Sequence, residues 1–396
     1  MKTCLKTIKY VAGAVCLYVL LLMLVFLIPD KGIESHRTEA MNYIDEEGEY
    51  PKPFFDSASA RLDNVTDRIM IGKTVPESDN LLIAAMNPGY ARYWHGYLVF
   101  LRPLLLFFDY FEIRFLGYCI STMLVFVVFG LLMKQEGWGV SIAFAVSMVL
   151  TRFIVVPVSL QFSSCFNIML LFCIWLLRRK DKIQSGECQL AVPFAIIGSV
   201  VNFMDFLTAP VTALGVPLAI CTLIRMKNEK NSWKNNTAEV IKNSCFWVFG
   251  YGFTWFSKWF FATIFLKKNI FAEALSAILL RTDRNTEYSS GRILAIGKNI
   301  FFLMGTDGIK ILFPIFSILL IWFVILIWKF RKRAAELLPF ILIACMPYVW
   351  YFALANHSYI HGFFTYRSQI ATVFSGGIML ELLWKWKNKI VEYKEM

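Results

Sequence analysis

Apolar segments long enough to cross a membrane recur along almost the whole chain. A hydrocarbon core of about 30 Å needs about 20 residues of helix, and apolar windows of roughly that length are separated by short polar turns. The pattern therefore predicts an all-α integral membrane protein with about ten transmembrane helices. The predicted spans are 10–28, 111–133, 138–157, 163–177, 187–206, 209–225, 238–266, 308–329, 335–355 and 369–386.

The longest polar interval separates the first span from the others and divides the chain into three parts. Residues 1–28 form an N-terminal transmembrane anchor helix, and we expect it to be retained because no small-residue cleavage site follows Ile28. Residues 29–110 form an extracytoplasmic loop with interfacial helices, and residues 111–396 form a multi-span membrane domain. Chemistry, if the chain carries any, should lie in the polar interval.

Within that interval the pattern changes twice. Asp30–Asp56 is acidic and interrupted by Pro51 and Pro53, which predicts an irregular surface loop. Between Leu62 and Met86 polar and apolar residues alternate at helical spacing, which predicts a short helix on the membrane surface. Tyr90–Phe108 mixes charged and apolar residues and contains a proline, so an amphipathic or re-entrant piece is expected.

Composition and charge agree with a membrane protein. Hydrophobic residues make up 58% of the chain and the mean hydropathy is +0.57, well above the apolar share of soluble proteins. The net charge of +12 lies mainly in short loops on one side, which is the positive-inside pattern and not a nucleic-acid patch. It predicts a multi-pass protein of the cell membrane with both termini cytoplasmic. These basic groups are Lys2, Lys6 and Lys9; Arg178, Arg179 and Lys180; and Lys329, Arg331, Lys332 and Arg333.

One predicted exported loop departs from the charge pattern. Between Lys267 and Lys310 seven basic residues face four acids, namely Glu273, Asp283, Glu287 and Asp307. Either a late loop tolerates the charges, or a basic rim attracts an anionic lipid-linked substrate at the outer face. Both explanations remain open.

Cysteine and histidine usage gives no metal or disulfide signature. None of the nine cysteines lies in the predicted exported segments 29–110, 267–307 and 356–368, so disulfides are not expected. No cofactor is predicted either, although a divalent cation is possible.

Two acids in the polar interval are candidates for a catalytic base. Asp63 and Asp67 are four residues apart and share one face of a helix, where one could accept a proton from a substrate hydroxyl. The alternative is capping, with Asp63 as the N-cap and Asp67 in the first turn of a short helix.

Three further clusters are candidates for substrate binding. An arginine fork suits phosphate, and an aromatic ring can stack on a sugar; an aromatic belt at the membrane surface is the alternative for the first cluster, and helix capping is the alternative for Asp205. Two histidines in the last exported loop are spaced at i and i+4, without adjacent ligands for a metal. The candidates are Arg92, Trp94, His95 and Arg102; Asp205; and His357, His361, Tyr366 and Arg367.

Four segments together resemble a bacterial family of integral-membrane proteins similar to the GT-C glycosyltransferase superfamily. They are LDNVTD, RYWHGY followed by RPLL, NFMDFLTAP, and NHSYIHGFFTYR. The resemblance implies many spans, a long first exported loop with interfacial helices, and an acid in that loop that acts on the acceptor. It also implies a polyprenyl-phosphate-linked sugar as the donor.

Applied to this chain, the resemblance implies that Asp67 or Asp63 is the catalytic base. It also implies that Arg367, with Arg92 or Arg102, binds the phosphate of the donor. The expected function is sugar transfer to a cell-envelope polysaccharide or glycolipid on the outer face, with the lipid bilayer as a partner and no nucleic acid. Two alternatives remain open. One is a transporter or flippase of lipid-linked oligosaccharide, and the other is a polysaccharide polymerase or ligase.

Overall fold

The computed structural model describes residues 2–282, 291–305, 309–331 and 333–395. Within these residues the chain is helical and contains no strand. Asp283, Glu287, Asp307 and Lys332, which entered the charge argument, lie outside the described residues.

The described part of the chain contains nineteen α-helices joined by short turns. They are α1 (Lys2–Val25), α2 (Glu34–Glu47), α3 (Asn64–Gly72), α4 (Leu81–Met86), α5 (Leu98–Leu104), α6 (Tyr110–Glu136), α7 (Trp138–Leu150), α8 (Leu160–Arg178), α9 (Lys180–Ser185), α10 (Ala191–Met204), α11 (Thr212–Met226), α12 (Trp233–Leu266), α13 (Ile270–Arg281), α14 (Arg292–Met304), α15 (Ile309–Lys329), α16 (Leu338–Ala353), α17 (Ala355–Ile360), α18 (Gly362–Thr365) and α19 (Ile370–Glu395).

Four helical segments are long and apolar enough to cross a membrane: Lys2–Val25, Tyr110–Glu136, Leu160–Arg178 and Ala334–Ala353. Three of them are mostly unburied and expose large apolar side chains, as expected for helices in contact with lipid, whereas 56% of Leu160–Arg178 is buried inside the protein. A helix also lies in each of the other predicted windows. The described part of the chain is therefore all-helical, with apolar helices of the kind that contact a bilayer.

Local sequence explains where several helices begin and end. Asp109 and Glu112 form a capping box at the start of α6. Ser159 caps α8 by accepting a hydrogen bond from Phe162 N at 3.3 Å. Gly137, at φ 90°, ends α6 and lets α7 begin at once in a new direction.

Close contact between α10 and α12 depends on two glycines. A Cβ at Gly250 would lie 1.9 Å from the backbone oxygen of Ala195, and one at Gly198 would lie 2.1 Å from that of Trp247. Small residues that let helix backbones approach are the usual basis of packing between apolar helices. This pair joins two cores: one around α7, α8, α11 and α19, and one around α1, α5 and α10.

The polar interval is more ordered than the sequence predicts. The prediction of an irregular loop over Asp30–Asp56 is wrong for its first half, where α2 runs for 14 residues. Ala40 and Ile44, one turn apart, are buried against the second core and hold this helix despite its acidic composition. The single helix expected between Leu62 and Met86 is two short helices, α3 and α4.

Candidate functional site

Asp67 lies inside the protein and caps a neighbouring helix. Its fully buried carboxylate accepts hydrogen bonds from Leu160 N and Gln161 N, both at 3.0 Å, at the start of α8. It also accepts one from the Tyr110 hydroxyl at 3.1 Å. Burial raises the pKa of Asp67 to about 6, and the Arg114 guanidinium opposes that rise. Its catalytic role stays a prediction, since these contacts are those of a structural carboxylate.

Asp63 is the N-cap of α3. Its carboxylate accepts from Thr66 N at 3.2 Å and from the Thr66 hydroxyl at 2.8 Å, which confirms the capping geometry. Burial raises the pKa of Asp63, and the two hydrogen bonds from Thr66 oppose it. Whether Asp63 also acts as a base remains a prediction.

Arg102 ties the end of α1 to the polar interval. The guanidinium is fully buried and donates to the carbonyl oxygens of Val25, Ile28 and Thr74, and to the Asp30 carboxylate at 3.0 Å. Four N–H contacts to protein groups leave this arginine little capacity for a ligand.

Arg367 is also fully buried, in a different part of the molecule. It donates to the carbonyl oxygens of Phe363 at 3.0 Å and Ser59 at 3.2 Å, and its Nε has no partner. Tyr366 beside it donates to the carbonyl oxygen of Ser59 at 2.9 Å.

Arg92 is in a third environment, where it pairs with Glu273 at 3.2 Å. Arg92, Arg102 and Arg367 thus have separate partners, and the structure does not bring them together in one site.

Trp94 and His95 are buried in the second core. Trp94 Nε1 donates to the carbonyl oxygen of Thr254 at 2.7 Å. The His95 ring lies between the Tyr97 hydroxyl at 3.1 Å and the carbonyl oxygen of Tyr90 at 2.9 Å. Burial lowers the pKa of His95 to about 3, so the ring is neutral at physiological pH. Both side chains are committed to contacts within the protein.

Asp205 stabilises the turn between α10 and α11. Its carboxylate accepts from Thr208 N at 2.9 Å, and Leu207 within the turn has φ 66°. The His357 ring contacts the carbonyl oxygen of Leu207 at 3.0 Å. Burial and the neighbouring His361 lower the pKa of His357 to about 3, so neutral His357 donates this bond. This contact fastens the last predicted loop onto the turn.

The last predicted exported loop is a packed helical segment. The Asn356 side chain donates to the carbonyl oxygen of Leu280 at 2.7 Å, which ties α17 to the end of α13. Asn299 in α14 donates to the carbonyl oxygen of Ser358 at 2.9 Å. Helix α17 is therefore fixed between α13 and α14, and His361 follows it directly.

This arrangement brings three cations that the sequence motifs do not include next to His361, which the motifs do include. We call Arg61, Arg281, Lys298 and the adjoining His361 the cationic cluster. Burial, Arg281 and Lys298 lower the pKa of His361 to about 4, and burial together with Arg61 lowers the pKa of Lys298. Arg281 and Lys298 thus act on His361, and Arg61 acts on Lys298, so each group lies within electrostatic range of a neighbour in the cluster.

Aromatic rings border each cation of the cluster. The Lys298 Nζ lies 4.0 Å from the Tyr359 ring centre, and the Arg281 guanidinium lies 5.8 Å from that of Tyr93. Arg61 lies 5.7 Å from the Phe363 ring. All three cations are partly exposed. Among the residues that the structure describes, none of the three forms an ion pair with an acid.

Acids lie near one edge of the cluster without pairing to it. Backbone hydrogen bonds from Leu62 N to Pro51 O and from Asn64 N to Glu49 O place Tyr50 beside Arg61. Burial, Asp63 and Glu49 raise the pKa of Tyr50 while Arg61 lowers it. Glu49 is exposed and also lines a groove of about 670 Å³ between α2 and α3. The sequence did not single out Glu49 as a residue near the cluster, because Glu49 lies in a run of acidic residues typical of a solvent-exposed surface.

The arrangement suits an anion. Three cations that have no acidic partner among the described residues, with a neutral imidazole beside them, can donate several charge-assisted hydrogen bonds to a phosphate. Flanking rings offer faces on which a sugar could stack. Within the described residues, no group of three or more His, Cys, Asp or Glu side chains is placed to hold a metal ion. The excess of basic residues between Lys267 and Lys310 was the one sequence signal that pointed here.

Comparison with known proteins finds no match: no protein-family model, no curated protein and no solved structure is significantly similar to this chain.

Proposed function

We propose that this chain is a multi-pass membrane glycosyltransferase, similar to the GT-C superfamily, that uses a polyprenyl-phosphate-linked sugar. Transfer would take place at the outer face, to a cell-envelope polysaccharide or glycolipid. In this proposal ten helices span the membrane and both termini are cytoplasmic. The observation that carries the proposal is the cationic cluster, three partly exposed cations that form no ion pair within the described residues.

Phosphate is the ligand that this cluster would stabilise best. Bringing like charges together without acids is unfavourable, and a bound phosphate removes that repulsion. In a transfer reaction the lipid phosphate leaves with developing negative charge, and cations already in position lower the barrier to its departure. Neutral His361 can donate one further hydrogen bond to the same group.

The base of the proposed reaction is a carboxylate of the LDNVTD segment. Asp67 is enclosed by α8 and Tyr110, whereas Asp63 lies two residues from Arg61 and in the electrostatic environment of Tyr50. Proximity to the cluster therefore favours Asp63 over Asp67 as the group that accepts the acceptor's hydroxyl proton.

One observation favours transport of a lipid-linked oligosaccharide as a second candidate function. Asn236, Asn243 and Trp247 lie on the buried face of α12, and each has a buried polar atom without a hydrogen-bond partner. Asn202 on α10 has another. Polar groups inside a helical bundle often mark substrate paths. These groups are uncharged, so they support transport less strongly than the cationic cluster supports sugar transfer.

Reconstituted vesicles separate these functions. Purified protein would receive a polyprenyl-phosphate donor with a radiolabelled sugar, and both label transfer to acceptor and label movement across the membrane would be measured. Transfer predicts a labelled acceptor, with one sugar per acceptor; a polymerase or ligase would instead give long products. Movement of intact donor without cleavage would replace the transferase proposal by the transport one.

The matched variants test the site itself. The double variant Arg281→Ala/Lys298→Ala should lose at least about a hundredfold in transfer rate, since each charge-assisted contact contributes about 1.5–3 kcal/mol. Lys31→Ala, which removes an exposed cation of the polar interval outside the cluster, should leave the rate unchanged. Equal rates in both variants would place the phosphate elsewhere.

Topology has its own test. In a background without the native cysteines, an impermeant thiol reagent added outside should label Asp56→Cys but neither Asp181→Cys nor Asn231→Cys. Protection of position 56 would overturn the proposed orientation.

A further inference from the structure

Helices α13 and α14 lie outside the ten predicted spans. They contain 12 and 13 residues, and unlike the short helices α7, α10 and α11 they are not apolar throughout. The sequence analysis predicts an exported loop in water for this region, residues 267–307. Its side chains do not fit that description.

Helix α13 buries one face and exposes a second apolar face. Ile270, Ala274 and Ala277 are buried, as expected for one side of a helix packed on protein. On the other side Leu275 is 57% exposed and Leu280 is 55% exposed. An isolated exposed leucine needs no explanation, but an apolar second face of an otherwise packed helix does.

Helix α14 has the same character. Ile293 is 81% exposed and Leu294 is 62% exposed, while Ala295 and Asn299 are buried. Phe301, two turns further along, is also exposed. Both helices therefore present apolar side chains away from the protein.

These faces continue the lipid-facing surface of a spanning helix. The Arg292 guanidinium at the start of α14 lies 4.6 Å from the ring centre of Phe352 in α16. Phe352 and Val349 are exposed apolar residues of that apolar segment, which is long enough to cross the membrane. On the other side, Phe271 of α13 packs on Phe256 of α12, with ring centres 5.4 Å apart. The exposed apolar surface of α16 is therefore in contact with the start of α14.

Among the described residues, the exposed charges around these helices that have no ion-pair partner are basic. Lys267, Lys268 and Arg292 are exposed, and Glu273, the one acid of the described residues between 267 and 305, pairs with Arg92. Basic residues next to membrane-embedded apolar faces attract anionic lipid headgroups. This excess of basic side chains favours contact with a bilayer surface that contains anionic lipids.

We infer that α13 and α14 lie within one leaflet of the bilayer, with Leu275, Leu280, Ile293 and Leu294 among acyl chains and Lys267, Lys268 and Arg292 at anionic phospholipid headgroups. The inference stands on exposure and charge, and it holds whether or not the protein transfers sugar. It also places Arg281 and Lys298, which belong to these two helices, at the headgroup level. A phosphate on a lipid would then reach the cationic cluster from the bilayer and not from water.

Spin labels in the full-length protein in lipid nanodiscs test the position. Leu275→Cys and Ile293→Cys, in a background without native cysteines, would be labelled and exposed to oxygen, which partitions into lipid, and to a water-soluble nickel chelate. Val349→Cys on α16 is the lipid-exposed control, and Asn42→Cys on α2 is the water-exposed control. Both test positions should behave like Val349, with higher accessibility to oxygen than to nickel. If either behaves like Asn42, the helix that carries it lies in water and the inference fails.

Lipid composition tests the second half of the inference. Native mass spectrometry of protein extracted from mixed phosphatidylcholine and phosphatidylglycerol membranes should show retained phosphatidylglycerol. The triple variant Lys267→Gln/Lys268→Gln/Arg292→Gln should retain several-fold less of it, while Lys52→Gln on the polar interval should not change it. Equal retention in the triple variant would overturn the preference for anionic lipid.

Discussion

Two polar regions of the molecule differ in whether their charged side chains form ion pairs. In the first, Arg114 donates to Glu47 at 2.8 Å and to Asn64 at 3.2 Å, and Tyr110 donates to Asp67. We call this set the Arg114 network. In the second, the cationic cluster, Arg61, Arg281 and Lys298 have aromatic neighbours and, within the described residues, no ion-paired acid. Acids and bases meet in the network, whereas the cluster leaves its positive charge uncompensated.

The difference separates a structural role from a binding role. The network joins α2, α3, α6 and the start of α8, so its charges hold four elements together. Breaking a buried pair leaves a charge without its partner, which is costly. Removing a cation from the cluster instead relieves repulsion. Changes in the network should therefore reduce stability, and changes in the cluster should reduce ligand binding.

The largest expected effect is on the network. Arg114→Ala would leave Glu47 and Asp67 without their buried cation, and we expect a loss of about 3–5 kcal/mol in the free energy of unfolding. Chemical denaturation in detergent measures it. The control is Arg68→Ala, whose exposed pair with Asp45 should contribute only about 0–1 kcal/mol. A similar loss in both variants would contradict the assignment.

A smaller effect is expected at the two aspartates, and it distinguishes them. Asp67→Asn keeps the shape but weakens the cap on α8, at a cost of about 1–3 kcal/mol, and folded protein should still transfer sugar at nearly the normal rate. Asp63→Asn should lose at least about a hundredfold in rate while donor binding persists. Unfolding curves and single-turnover rates on the same samples check this. The reverse pattern would make Asp67 the base.

The two regions should also respond oppositely to pH. The pKa of His361 falls from 6.5 to about 4, so the folded state binds fewer protons, and the stability from this group is complete above pH 6.5 and lost as pH falls toward 4. The pKa of Asp67 rises from 3.8 to about 6, so its contribution is complete below 3.8 and lost as pH rises through 6.

Single variants distinguish the two opposite dependences of folding stability on pH. Between pH 4 and 6.5, His361→Gln should remove a component of stability that increases with pH, and Asp67→Asn should remove one that decreases with pH. Melting temperatures of the detergent-solubilised variants across this range measure both. Parallel pH profiles for the two variants and the wild type would show that neither group titrates in this way.

Hydrophobic periodicity predicted the helical character well, because apolar windows of span length leave the backbone no alternative inside a bilayer. It failed for α2, whose two buried residues, Ala40 and Ile44, are too few to stand out in an acidic stretch. The site was harder to predict. Arg102 and Arg367 are conspicuous in sequence because they interrupt apolar runs, yet that is the pattern of arginines buried against backbone carbonyls. Arg61, Arg281 and Lys298 come from three distant segments, and only packing around α17 brings them together.

The central claim, that the cationic cluster binds a phosphate on a lipid, is tested most directly by equilibrium binding of polyprenyl phosphate to purified protein. Wild type, Arg281→Ala/Lys298→Ala and Lys31→Ala, the last of which removes an exposed cation of the polar interval, would be titrated in the same detergent, with thermal unfolding measured on each sample. We predict a loss of affinity of at least about tenfold in the double variant alone, with an unchanged melting temperature, because two charge-assisted contacts are removed and no ion pair of the described residues is broken. Equal affinity in the three proteins would contradict the account.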